Sequence, residues 1–391
     1  MSQPIPKKIK ENNPNIGVKS FNTLLVDGSN LLELSFSASK KTSSSGKEIG
    51  GIFAFLLQMK ILLQKGNFRY VYVFWDGERS GQLRYELNTD YKANRDKTYD
   101  DVNLSDYMKA VNARIDAMQK KIYKKTQRTE TEKENFHWQR EIIIQCLDEL
   151  FVRQCLCDET EADDFIAYYV QHKKPEENIV IFSNDRDLSQ LIHKSEMYEG
   201  KDDVILAIKP QKADIRFINT RNHTDIIGYD YRNVALKKII CGDASDNIKG
   251  IKGVGEKTLF DNFPEFKTRE VTLNEVIDKA KQINEDRKIQ KKKPLKWADN
   301  IVNKVTDGVQ GENIYEINKK IIDLKEPLMP DDAKELLDNM MYAPIDPEDR
   351  SLLNLYNILT TNDIDDLKDE TVFGKFFIEF NFLIDKEKKN V

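Results

Sequence analysis

Nine carboxylates are placed where one fold could gather them, and they are the part of this sequence best suited to chemistry. Glu161-Ala-Asp-Asp164 reads as the first turn of a helix whose buried stripe is Ala162, Phe165, Ile166 and Tyr169. Glu161, Asp163 and Asp164 fall off that stripe. The apolar run Ile179-Val-Ile-Phe182 then reads as a strand ending in Ser183-Asn-Asp-Arg-Asp187, which adds Asp185 and Asp187. The same design occurs twice upstream. Thr23-Leu-Leu-Val26 stops at Asp27-Gly28, where Gly28 permits a tight turn, and Tyr70-Val-Tyr-Val-Phe-Trp75 stops at Asp76-Gly77. Asp243 and Asp246, at i, i+3, complete the set. Acidic residues favour helix N-termini for the dipole alone, and for Glu161 to Asp164 in isolation that bland reading has equal standing. Three strands each delivering an Asp to one edge is harder to explain as solubility. Crowded like charges repel, and a cation relieves them. The donors are all oxygen, with no paired His or Cys, which selects a hard ion, Mg²⁺ or Mn²⁺. None of the histidines (137, 172, 193 and 223) has a suitable neighbour in the sequence, so none is assigned chemistry.

Elements that alternate strand and helix imply an α/β fold with a parallel sheet, whose ligands bind at the C-terminal ends of the strands. Apolar faces predict helices over about 51–64 and 137–150, and residues 151–157 read as a further strand. Between Arg79 and Arg140 the composition turns polar. There, Tyr91-Lys-Ala-Asn-Arg95 sets Lys92 and Arg95 on one helix face with Tyr91 beside them. Lys and Arg neutralise phosphate and Tyr stacks on a base, although an exposed amphipathic helix is the default for such a segment by itself. From Tyr231 the pattern is helical. Val234 to Ile240 is followed by Gly250-Ile-Lys-Gly-Val-Gly255 and then by a new helix from Glu256 to Phe260. A P-loop is excluded, because Glu256 stands where its lysine belongs and no strand precedes it. A helix-hairpin-helix fits better, with Gly250, Lys252, Gly253, Gly255 and Lys257 offered to a phosphodiester backbone. The aromatic run Val372 to Leu383 reads as a core segment closing a domain rather than a partner-binding tail.

With 391 residues the chain has material for two domains. Hydrophobic content of 39% and charged content of 32% describe a soluble, highly charged protein without an apolar run long enough for a membrane span. Cys146, Cys155, Cys157 and Cys241 lack zinc-site spacing and read as reduced thiols of a cytoplasmic protein. The net charge of −5 does not by itself favour nucleic acid, but binding depends on where charge sits. Basic residues cluster at 120–128, at Lys237-Lys238 and at 287–293. A solvated helix face is the ordinary explanation of the last cluster.

Taken in order, these motifs resemble the flap endonuclease/5′→3′ exonuclease superfamily, of the phage ribonuclease H type. The motifs are the two Asp-Gly strand tips, Glu161-Ala-Asp-Asp164, Asp185-x-Asp187, and Gly242-Asp-x-x-Asp-Asn247 followed by Gly250-x-x-Gly-x-Gly255. The likeness spans about Leu24 to Leu259. It implies a PIN-like parallel-sheet nuclease domain over 21–230 with a helical arch at about 79–135. It also implies a helical C-terminal domain over 231–391, with the helix-hairpin-helix at about 234–262, after a polar tail at 1–20. By the same likeness Tyr91, Lys92 and Arg95 belong to the arch, where Lys92 and Arg95 would steady the scissile phosphate. Asp27, Asp76, Glu161, Asp163 and Asp164 would hold one of two Mg²⁺ or Mn²⁺ ions. Asp185, Asp187, Asp243 and Asp246 would hold the other, and the glycine hairpin could take K⁺.

The implied activity is 5′→3′ exonuclease and flap endonuclease cleavage of DNA and RNA–DNA duplexes with 5′ ends or flaps. It would remove primers during phage-type replication in the bacterial host cytoplasm, as a monomer. A single-stranded-DNA-binding protein and a sliding clamp are the candidate partners. Two other readings stay open. A PIN-type endoribonuclease would keep the carboxylates without needing the hairpin or arch. A non-catalytic DNA-structure binder would need the hairpin but not every carboxylate. An Asp-x-Asp phosphatase is discounted, because Ser29 and Glu78 stand where its second Asp belongs.

Overall fold

The computed structural model describes residues 20–92, 128–210, 213–306, 309–310, 312–348 and 350–388. Most of the polar tail, Arg95, the basic cluster at 120–127 and the body of the expected arch lie outside them.

Seven strands form one sheet: β1 (Thr23–Asp27), β2 (Tyr70–Trp75), β3 (Arg153–Leu156), β4 (Ile179–Phe182), β5 (His193–Lys194), β6 (Asp202–Ile208) and β7 (Arg216–Ile218). The order is β3-β2-β1-β4-β6-β5, and β7 also pairs with β6. β3, β2, β1, β4 and β6 run parallel, and β5 and β7 are antiparallel to β6. The central strands are continuous apolar runs because both faces are covered, and every residue of β1 is buried. One face packs under helices Gly50–Leu63 and Glu130–Glu149, burying Phe55, Met59, Ile143 and Leu147. The other lies against helix Ala162–His172 through Phe165, Ile166 and Tyr169. The helix face read from the sequence is thus the face that is buried.

The register aligns the strand ends. Asp27 pairs across from Phe74 and Val26 from Phe182, so Asp27, Asp76 and Asp185 emerge along one edge. The glycines after the first two aspartates serve a different purpose from the one expected. Neither has a positive φ. A Cβ on Gly28 would stand 2.6 Å from Val73 Cγ1, and one on Gly77 would stand 2.1 Å from the Cys157 carbonyl oxygen. Each allows close approach of neighbouring chain at the sheet edge.

Helix Val234–Cys241 leads into a two-stranded hairpin, Gly242–Asp243 with Ile248–Lys249, and then through the glycine loop into helix Glu256–Asn262. A separate cluster of Ile240, Ile251, Val254, Leu259, Phe263, Ala280, Ala298 and Ile301 holds this unit together with helices Leu273–Ile289 and Lys296–Val302. The single helical unit expected over 231–391 is divided. Helices Leu352–Thr361 and Glu370–Phe377 return to the sheet and bury Leu355, Leu359, Phe373, Phe376 and Phe377 in its core. Helix Asp331–Met340 covers the opposite side of the sheet through Ala333 and Leu337. The physical reason is that a central parallel sheet needs cover on both faces, and these late helices supply the part that the earlier ones leave open.

Candidate active site

A cleft of about 840 Å³ opens at the C-terminal edge of the sheet. Its wall includes Asp27, Asp76, Glu161, Asp163, Asp185, Asp187, Asp243 and Asp246, eight of the nine expected carboxylates. Altogether eleven Asp and Glu side chains line it, against five Lys and Arg. The cleft is therefore built to hold positive charge.

Several of these acids also build the elements that present them. Asp27 accepts the Asn30 N–H at 2.9 Å and so caps helix Gly28–Ala38, and the Ser183 hydroxyl donates to its other oxygen at 2.9 Å. Asp76 accepts the Ala162 N–H at 2.8 Å, tying β2 to the start of helix Ala162–His172. Asp185 accepts the Asp187 N–H at 2.8 Å in a 3₁₀ turn. Burial pushes the Asp27 carboxyl up to about 7, assisted by Asp76. Burial also raises Asp76, and it raises Asp187 to about 6 with Asp185 adding to the shift. At Asp243 burial is outweighed by Lys238 and Ser245, which hold the carboxyl down at about 2.

Two cations answer these charges from within the cleft. Lys92 Nζ lies 2.7 Å from Glu161 Oε1, and Lys238 Nζ sits between Asp187 and Asp243, 2.5 Å from Asp243 Oδ2. A third, Arg84, lies behind the wall and was not anticipated. It is 3% exposed on the short helix Gln82–Leu87. Its guanidinium grips both oxygens of Asp164 at 2.5 and 3.0 Å, approaches Glu161 at 3.3 Å and Asp163 at 3.8 Å, and donates to the Ile321 carbonyl at 3.2 Å. Burial opposes its charge, but the three carboxylates outweigh burial and hold the proton more tightly than usual. Nothing marked Arg84 in a polar stretch, because only the fold brings residue 84 to residue 164.

Asp164 consequently departs from the expectation. Carboxylate oxygens of Glu161, Asp163 and Asp164 come within 4.8 Å of one another, which is ligand spacing. Yet Asp164 is fully buried, is absent from the cleft wall, and accepts the Leu328 N–H at 2.9 Å as well as the Arg84 pair. Three of its roughly four acceptor positions are already committed. Asp163 differs, for its Oδ1 is buried with no hydrogen-bond donor, and burial raises its carboxyl well above the usual range. An orphaned oxygen among so many acids is the chemistry a hard divalent cation satisfies.

The segment entering the expected arch also differs. Tyr91 and Lys92 lie in a turn, with Lys92 at φ of 52°, and Arg95, expected to share a helix face with Lys92, lies outside the described residues. The Tyr91 ring packs with Ile239, Ile248 and Tyr315, and its hydroxyl donates to Glu161 at 3.3 Å. Buried in this way, the ring offers no face for a base to stack on. The Lys92 N–H donates to the Asp246 carbonyl at 2.9 Å, and the Asn247 amide to the Asp90 carbonyl at 2.9 Å, so this turn is latched to the hairpin at 243–248.

The glycine loop lies outside the cleft wall. Gly250 packs against the backbone of Cys241 and Gly242, Gly253 has φ of 81°, and Gly255 caps helix Glu256–Asn262. Lys252 and Lys257 are exposed, the latter 2.8 Å from Asp261. Of the histidines, His193 pairs with Asp203 at 3.0 Å, a partner the sequence did not reveal. Neither His193 nor Asp203 lines the cleft, whereas His137 does.

A parallel sheet that gathers carboxylates around one cleft at its C-terminal edge defines a hydrolase of the nuclease class. The chain belongs to the 5′-3′ exonuclease family, whose N-terminal resolvase-like domain it matches over residues 22–127 and 105–217. It is 28% identical over 277 residues to a 5′-3′ exonuclease of Mycoplasmopsis pulmonis, covering 71% of this chain and 76% of that one. It is 27% identical over 265 residues to the 5′-3′ exonuclease of Halalkalibacterium halodurans, covering 65% and 73% respectively. The fold is that of T5 5′-exonuclease with bound zinc, at a TM-score of 0.55 and 20% identity over 82% of this chain and 98% of that one. A T5 flap endonuclease complex with DNA and metal ions gives a TM-score of 0.52 at 18% identity, over 94% and 99%.

Proposed function

We propose that this enzyme hydrolyses phosphodiesters at 5′ ends and 5′ flaps of DNA and RNA–DNA duplexes, using two divalent ions, Mg²⁺ or Mn²⁺. The observation that carries the reading is the convergence of eight carboxylates from positions 27 to 246 on one cleft. Asp27, Asp76, Glu161 and Asp163 would hold one ion, and Asp185, Asp187, Asp243 and Asp246 the other. When bound, such ions supply an activated water and stabilise charge on the attacking and leaving oxygens.

The chain's own residues do the rest. Arg84 and Asp164 fix the start of helix Ala162–His172, so that Glu161 and Asp163 face the cleft with little freedom. Lys92 and Lys238, placed among the acids, are two of the five cleft-lining cations and would reach a phosphate there. Arg95, three residues beyond Lys92, is proposed to assist. The exposed glycine loop, with Lys252 and Lys257, would hold the duplex through its backbone without reading bases, and its carbonyls could take K⁺. Primer removal in phage-type replication, action in the host cytoplasm as a monomer, and recruitment by a single-stranded-DNA-binding protein or sliding clamp belong to the same proposal.

The test is a product ladder from 5′-labelled flap, nicked and RNA-primed substrates, with Mg²⁺ and with EDTA, for the wild type and for Asp185→Asn/Asp187→Asn. The double variant should lose cleavage by several orders of magnitude while still binding DNA. Full activity in that variant, or in EDTA, would sink the assignment.

A further inference from the structure

We propose that the turn joining helices Leu273–Ile289 and Lys296–Val302 is a second contact for the phosphate backbone of the substrate duplex, beyond the glycine loop. This rests on the nuclease reading above and adds a surface to it.

Between residues 285 and 296 stand six cations, Arg287, Lys288, Lys291, Lys292, Lys293 and Lys296, against two acids, Glu285 and Asp286. In a chain of net charge −5 this is a strong local reversal. Among the described residues none of the six meets a carboxylate within ion-pair distance. The polar contacts shown for them go to neutral groups, Arg287 to the Lys293 carbonyl at 2.8 Å and Lys292 to the Gln290 side chain at 2.9 Å. A solvated helix face normally interleaves both signs, as the first part of helix Leu273–Ile289 does with Glu275, Asp278, Lys279 and Lys281.

The turn is built rather than loose. The Lys291 N–H reaches the Lys288 carbonyl at 3.0 Å and the Lys292 N–H the Arg287 carbonyl at 2.8 Å, the hydrogen-bond pair of a Schellman stop. Lys291 takes the left-handed position at φ of 57°, where glycine would be easiest. Asn284 clasps the returning chain through the Leu295 N–H at 2.7 Å and the Leu295 carbonyl at 3.2 Å. The lysines are therefore displayed from a fixed backbone.

The location supplies the partner. Helix Lys296–Val302 is the floor of the glycine loop. Asn300 donates to the Lys252 carbonyl at 2.8 Å, and Trp297 Cβ lies 3.7 Å from where a Cβ on Gly253 would be. The lysine turn ends one residue before Trp297. The six residues from Lys291 to Lys296 span at most roughly 20 Å even if extended, so these cations lie on the same unit as the loop, within about half a turn of duplex of helix Lys296–Val302. A duplex carries about one charge per 1.7 Å of axis, and under this proposal a backbone seated on the glycine loop would continue over the turn.

The test uses the full chain with Lys291→Glu/Lys292→Glu/Lys293→Glu and, as the charge-neutral counterpart, the three Gln substitutions. All three side chains are exposed, which leaves folding intact. Binding is read by fluorescence anisotropy in EDTA on flap substrates with duplex arms of about 6 and 21 bp, roughly half a turn and two turns, and on single-stranded DNA. The expected result on the long arm is an affinity loss of about tenfold or more and a log–log salt slope lower by about 2 to 3. Short-arm and single-strand binding should stay within about twofold, and the single-turnover rate at saturation should not change. Equal losses on both arms, a loss confined to single strands, or no loss on the long arm would overturn the proposal. Failure of the wild type to bind or cut any flap substrate would instead remove the nuclease reading, and this surface with it.

Discussion

Asp27 shows how one side chain serves both folding and chemistry. It caps a helix, receives Ser183, and stands beside Asp76 on the cleft wall. Because its folded pKa of about 7 lies above the ordinary 3.8, the folded protein keeps a proton that the unfolded chain gives up. Stability from this group is present below about pH 4 and declines as pH rises toward 7, by about 1.4 kcal/mol per pH unit while the two states differ by one proton. Asp187, raised to about 6, acts in the same direction over a narrower window. In EDTA the urea midpoint should therefore fall from pH 5 to pH 7, and Mg²⁺ should restore more stability at pH 7 than at pH 5. A midpoint that climbs over that interval in EDTA would contradict the burial argument.

At the scale of elements, Arg84 fastens three helices: Gln82–Leu87, which carries it, Ala162–His172 through Asp164, and Glu312–Ile322 through the Ile321 carbonyl. A buried pair of this kind costs more to break than it contributes whole. Arg84→Met should destabilise by roughly 3–5 kcal/mol, leaving Asp164 buried without its partner. Arg84→Met/Asp164→Leu should recover most of that loss. Urea unfolding of the two variants decides the matter, and a double variant no better than the single one would show that Glu161 and Asp163 bear the cost instead. The strand–turn–helix units were legible from the sequence. Apolar runs ending in Asp-Gly gave β1 and β2, and the stripe at 162–169 gave its helix. The helix expected from the spacing of Lys92 and Arg95 does not include residues 91 and 92, because such spacing is a statement about local geometry. Long-range hydrogen bonds to Asp246 and Asn247 hold those residues in a turn instead.

Over the whole molecule, the last helices complete the cover of the central sheet. Phe377 is buried among Phe373, Phe376 and Phe380, in the same core as Phe55 and Trp75. Phe377→Ala should cost about 3–5 kcal/mol while leaving the single-turnover rate of the folded enzyme near that of the wild type, since Phe377 does not line the cleft. A variant of native stability would mean that residues 352–388 are dispensable to the sheet.

Composition and periodicity alone determined the α/β class, the strand tips and the acidic residue types, because these follow from alternation, length and chemical kind within a few residues. What the tertiary structure decided was which acids share the cleft, that Asp164 turns to Arg84, and where residues 331–388 pack. Those outcomes depend on pairs such as 84 with 164 and 53 with 376, whose meeting is set by sheet order and by the two faces that a parallel sheet must cover. No local pattern encodes it.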